Sequence, residues 1–156
     1  MSTVHKITRE EFHRAFDEDD RVELIEGVVF DKMVIGPRHA HAVRQLRKLF
    51  SDMPYGSQEP IVVGDSEPEP DLFVVTAFSE HRHPNAEEVR LAIEVSESSY
   101  EYDVEVKMPL YTRAGIPNLI VNLNENRLEF YQPGKPGEIL VEGDFLGVHL
   151  NINELT

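Results

Sequence analysis

The stretch LAIEVSESSYEYDVEVKMPLY, Leu91 to Tyr111, decides how this chain is read. With a period of two, Leu91, Ile93 and Val95 share one face of a strand, while Ala92, Glu94 and Ser96 share the other, so a carboxylate is displayed on the polar side. Beyond Ser96 the chain turns through small and acidic residues and takes up a helical period, with Val104, Met108 and Tyr111 at i, i+4 and i+7. Asp103, Lys107 and Tyr111 form a second stripe on that helix. If it packs back on the strand, Lys107 approaches Glu94, and Asp71 of the Pro70-Asp71 dipeptide can join them. Pro109 lacks an N–H and costs roughly 3 kcal/mol in a helix interior, so the sequence predicts either a helix starting near Val106 or a kink.

Working outward, Asp71 to Thr76 reads as an apolar strand and Leu119 to Leu123 as another, with Arg127 to Tyr131 its hairpin partner. Arg21 to Phe30 alternates about Glu26-Gly27, which suits a hairpin. Thr8 to Glu11 is a capping-box pattern opening a helix over residues 9 to 18. His39 to Phe50 is the best amphipathic helix, with Val43, Leu46, Leu49 and Phe50 on one side and Arg44, Arg47 and Lys48 on the other. That basic face is where a phosphate contact is expected. Short strands are expected at Ile61 to Val63, Ile139 to Val141 and Val148 to Ile152. The order predicts α/β architecture, an α+β mixed sheet flanked by helices.

The 156 residues and 40% apolar content suit one domain spanning 1–156. No apolar run reaches the roughly 18–20 residues that span a bilayer, and MSTVHKITREEF lacks the apolar core of a secretory signal, so a cytoplasmic protein is expected. The absence of cysteine excludes disulfides and thiolate chemistry. A net charge of -14 repels nucleic acid, so any DNA chemistry needs a local basic strip, bound divalent cations or a partner that delivers the substrate. The pairs His39/His41 and His81/His83 supply too few converging ligands for zinc.

Several fragments recur in a familiar order: ELIEG at Glu23 to Gly27, His39, PDLFVV at Pro70 to Val75, IEVSESS, then Asp103, Lys107, Tyr111 and AGIPNLIVNL. Their succession, over about residues 6 to 131, resembles the Uma-two family of restriction endonuclease-like proteins, which is assigned to the PD-(D/E)XK nuclease superfamily. The resemblance implies a restriction endonuclease-like core and metal-dependent hydrolysis of DNA phosphodiester bonds with Mg2+ or Mn2+. It makes Asp71 and Glu94 metal-binding acids, the Val95 carbonyl a third ligand, Glu23 an additional acid near the metal and Lys107 the active-site lysine. The superfamily's usual lysine position is Ser96 here, so the role moves to the helix. His39, Asp103 and Tyr111 become substrate or supporting contacts, and a homodimer is implied for cutting both strands. The chain departs from the family pattern at Pro109, at Asn118-Leu119-Ile120, and at Glu67 and Glu69 beside the PD dipeptide. Two other functions remain open at this point: a catalytically inactive binding or assembly module with the same fold, and an acidic regulator that mimics DNA.

Overall fold

The structure is a computed structural model that describes residues 5–156. Residues 1–4, on which the secretory-signal reading partly rests, lie outside the described residues. The chain opens with helix α1 (Arg9–Ala15), where Thr8 and Glu11 close the expected capping box. It stops three residues earlier than the sequence predicts because Phe16 is already extended. Strands β1 (Val22–Ile25) and β2 (Val28–Asp31) form the hairpin, turning through Glu26 and Gly27, both at positive φ. Helix α2 (Pro37–Leu49) begins with proline in its first turn, where the missing N–H breaks no intrahelical bond.

The main sheet is built from β3 (Tyr55–Gly56), β4 (Leu72–Val75), β5 (Val89–Ser96), β6 (Asn118–Asn122), β7 (Arg127–Tyr131) and β8 (Glu138–Leu140), hydrogen-bonded in that order. Only β5 and β6 run parallel. Their connection is helix α3, residues 100–113, as a parallel pair requires. A hairpin of β9 (Glu142–Phe145) and β10 (Val148–Asn151) follows, and then a short helix α4 (Ile152–Leu155).

Period two along β5 divides the interior. Leu91, Ile93 and Val95 pack with Val43 and Leu46 of α2, with Phe50 that caps it, and with Ile152 and Leu155 of α4. Ala92 points the other way, into a cluster with Phe73, Val75, Leu110 and Tyr111. Each fully buried Leu, Ile or Phe contributes about 1.5–3 kcal/mol. This two-sided burial fixes the register of β5, because a one-residue slip would drive Glu94 into the apolar side. Leu49, expected in the core, is 38% exposed, since α2 ends there and Phe50 takes the buried position. Val62 and Val63 make only isolated bridges, because Gly64 turns the chain back on itself.

Helix α3 meets the Pro109 expectation in part: an α segment starts late, at Met108, with Pro109 in its first turn, but the helix as a whole begins earlier. It starts at Tyr100, passes through a π turn at Asp103–Lys107, and continues as α-helix over Met108–Arg113. The Met108 N–H donates to the Asp103 carbonyl, and Pro109 then falls in the first turn of the α segment, a position that tolerates proline. In a regular α-helix, residues four apart drift by about 40°. The wider turn slows that rotation, and Asp103, Lys107 and Tyr111 are all buried on one side.

One close approach sets a limit on the sheet edge. Gly56 lies against the ring of the buried Phe73, and a Cβ there would overlap the ring atoms. Gly56→Ala is expected to destabilise by about 1–3 kcal/mol through overpacking, read as a lower denaturant midpoint at unchanged slope. An unchanged midpoint would contradict this packing.

Candidate active site

Five elements bring polar side chains to one cavity of about 270 Å3, whose lining includes Glu23, His39, Asp71, Glu94, Asp103 and Lys107. Glu94 projects from β5 on the face opposite Leu91, Ile93 and Val95. Asp71 immediately precedes β4, whose Leu72 pairs with Ile93 of β5, so the two carboxylates start from adjacent strands. Glu23 comes from β1, His39 from α2, and Asp103 and Lys107 from α3.

The Lys107 ammonium, on a residue only 3% exposed, is 2.6 Å from Glu94 Oε2 and 3.0 Å from Glu23 Oε1. The Tyr111 hydroxyl donates to the same Glu94 oxygen at 2.6 Å. Glu23 is saturated. Its Oε1 also accepts the Glu69 N–H at 2.9 Å, and its Oε2 accepts the Tyr102 hydroxyl at 2.9 Å. Asp71 Oδ2 accepts the Val95 N–H at 2.8 Å and lies 3.1 Å from His39 Nε2. Asp103 Oδ2 accepts from Ser96 at 2.6 Å and Ser99 at 2.7 Å, which ties the head of α3 to the end of β5.

The charges follow from burial and crowding. Burial pushes the Glu94 carboxyl well above the usual carboxylate range, and Lys107 only partly opposes it. For Lys107 burial works downward, but Glu23 and Glu94 outweigh it, so the ammonium is held charged well beyond its ordinary range. Burial also raises Asp103, to about 6, against the pull of Lys107 and its two serine donors. His39 is raised, since the hydrogen bond and charge of Asp71 exceed the effect of its burial.

Glu23, His39, Asp71, Glu94, Asp103 and Lys107 therefore meet at this cavity, whereas Tyr111 is outside its lining and reaches it only through Glu94, and Asp71 and Glu94 are held by different partners. The two acidic neighbours of the PD dipeptide differ: Glu69 lines the same cavity, and Glu67 does not. Glu69 pairs with Lys32 at 2.6 Å, and the buried Glu67 turns away toward Arg9 and His13. Asn118, where the family pattern differs, donates to Thr112 and to the Ile116 carbonyl within an intact β6. On the basic side of α2, Arg47 donates to Ser57, whose hydroxyl donates to the Asp71 carbonyl, while Arg44 and Lys48 are exposed.

Two features escape sequence reasoning. Tyr102 holds Glu23 and packs against Phe30 with ring centroids 5.0 Å apart and planes tilted by 50°, a contact nothing in its own helix announces. Glu129 of β7, buried, accepts from Tyr100, Asn122, Arg127 and Tyr131, anchoring the first residue of α3 to the sheet. Its only signal is an acid inside the apolar run Leu128 to Phe130. Burial would raise the Glu129 carboxyl, yet these donors hold it below its ordinary 4.5. A depressed carboxylate stabilises the fold above its unfolded pKa, and that stability is lost as pH falls through the folded value. Glu129→Gln is thus expected to flatten the acid limb of the stability–pH curve below about 4.5, measured by urea unfolding. An acid limb identical to wild type would contradict this.

Among the described residues no group of three or more His, Cys, Asp or Glu side chains is arranged to hold a metal ion. Two carboxylates do have capacity to spare. No hydrogen bond or ion pair among the described residues engages Asp71 Oδ1 or Glu94 Oε1. Magnesium is commonly held by one or two carboxylates, with waters and substrate phosphates completing its shell, so this donor set fits a hard divalent cation.

No helix among the described residues is long and apolar enough to cross a membrane. A search of curated proteins finds no match to this chain. Among solved structures, it is similar to "a putative nuclease belonging to DUF820" from Anabaena variabilis ATCC 29413, with a TM-score of 0.72 and 18% identity, covering 96% of this chain and 97% of that one. At that identity the likeness speaks for the fold, a six-stranded mixed sheet flanked by helices. The sequence model of the Uma2 family, described as "Putative restriction endonuclease", matches residues 9–155, and the chain therefore belongs to that family.

Proposed function

We propose that this protein is a metal-dependent endonuclease whose site is Asp71, Glu94 and Lys107. The observation that carries the reading is the meeting of these three groups at one cavity, each carboxylate keeping one oxygen unengaged. Asp71 and Glu94, with the Val95 carbonyl beside them, would hold Mg2+ or Mn2+, which when bound supplies an acidified water and positive charge against the phosphate. Lys107 presents a fixed point charge to a non-bridging phosphate oxygen. Tyr111 and Asp103 are positioning residues: the first fixes the Glu94 carboxylate, and the second fastens α3 to β5 through Ser96 and Ser99. His39 holds Asp71 Oδ2 and leaves Oδ1 without a partner among the described residues.

The net charge of -14 is the obstacle to DNA approach, which a divalent ion at the acids would offset locally, and Arg44 and Lys48 add exposed positive charge on α2. A homodimer would bring two such sites to the two strands, which sedimentation of the purified protein decides. The reading is tested by cleavage of supercoiled plasmid and single-stranded DNA with Mg2+ or Mn2+. Cleavage that stops with EDTA is expected. No cleavage where a control nuclease cuts would favour a binding or assembly module instead.

A further inference from the structure

In the absence of a divalent ion, the strongest cation at the carboxylates is the chain's own. The Lys107 ammonium is withdrawn from solvent and bridges Glu23 Oε1 and Glu94 Oε2. It also reaches the Glu69 carbonyl, at 3.4 Å. Two anions share one buried monocation, and a doubly charged ion placed on Glu94 would stand within a few ångströms of that ammonium. The two carboxylates are not equivalent. Glu23 has both oxygens committed to the Glu69 N–H, the Tyr102 hydroxyl and Lys107, whereas Glu94 has both of its donors on Oε2 and keeps Oε1.

We propose that Lys107 is the resident cation of the Glu23–Glu94 pair, that a divalent ion competes with its ammonium for Glu94, and that Glu23 retains the ammonium and does not ligate the ion. The inference rests on the metal-dependent reading above. It gives Glu23 the role of a positioning residue, holding the lysine at the site once Glu94 turns to the metal. The protein then binds metal weakly until substrate phosphate adds its own negative charge, because the lysine and the ion share too few anions without it.

The test is Mn2+ affinity, read from the free-ion EPR signal at mildly alkaline pH without DNA, for wild type, Lys107→Met and the Lys107→Met/Glu23→Gln double variant. Lys107→Met is expected to bind Mn2+ on the order of tenfold more tightly than wild type, the usual scale of coupling between two ligands of one site. Adding Glu23→Gln to that variant is expected to weaken binding by no more than about tenfold, the effect of a neighbouring charge that attracts the ion without ligating it. Wild-type binding that Lys107→Met fails to tighten overturns the competition while leaving the metal site standing. A further large loss in the double variant makes Glu23 a ligand and overturns its assigned role. No Mn2+ binding by any of the three proteins overturns the metal-dependent reading and this inference together.

Should Lys107→Met fail to fold, reductive methylation of wild type carries the same question. Lys107, left with Glu23 as its one carboxylate partner, is expected to label faster with saturating Mg2+ than in EDTA, as mapped by peptide mass spectrometry over a time course. Equal labelling in both conditions overturns the proposal.

Discussion

Lys107→Ala is expected to lower folding stability by about 3–5 kcal/mol at mildly alkaline pH, since removing one partner of a buried ion pair leaves the other charge uncompensated. Two carboxylates are abandoned here, Glu23 and Glu94, and both are buried. Glu94 is already pushed upward by burial, and without the ammonium it rises further. A carboxyl raised in the folded state favours folding below its unfolded pKa, and that contribution is lost as pH rises through the folded value. The gap between wild type and variant should therefore be widest at alkaline pH and narrow toward acid, in urea unfolding followed across pH. A gap independent of pH would mean that the lysine stem, and not its charge, matters to the fold.

The second large effect is on chemistry. Glu94→Gln and Asp71→Asn each keep the side-chain volume but remove a charged oxygen donor, and each is expected to reduce DNA cleavage by about 10³-fold or more, as several kcal/mol of transition-state stabilisation goes with the cation. The stability consequences differ. Glu94→Gln leaves Lys107 its Glu23 partner, and Asp71→Asn leaves the Val95 N–H an acceptor, so both variants should remain folded by circular dichroism. Cleavage at wild-type rate by either folded variant would remove these residues from the site.

The parts of this fold legible in the sequence are those governed by a local period. Alternation along Leu91 to Ser96 assigns Glu94 to the face opposite the larger core cluster, and the spacing of Asp103, Lys107 and Tyr111 gives the stripe that meets it. Capping at Thr8 and the turn at Glu26-Gly27 are equally local. Where the reading fell short, the cause lies in residues distant in sequence. Glu129 draws its donors from α3, β6 and β7, and Tyr102 finds Glu23 across 79 positions. Strand β9 and helix α4 escaped because Gly143 interrupts one and the other is a single turn held by Ile152 and Leu155 in the core.

Pro109 is the instructive case. Helix propensity treats it as a break, and the options it allows are a late start or a kink. The π turn ahead of it joins a late-starting α segment to an unbroken helix, and α3 has a reason to be continuous: Asp103 must reach Ser96 and Ser99 while Lys107 reaches Glu94. Tertiary contacts at both ends select that backbone, and local propensity has no access to them.

Anomalous diffraction from a crystal soaked in Mn2+ tests the central claim most directly. A single peak at Asp71 Oδ1 and Glu94 Oε1, within about 2.0–2.3 Å as oxygen-ligated divalent ions require, is the predicted result. Crystals that take up no Mn2+ at saturating concentration, or that place it away from both carboxylates, would contradict the assignment.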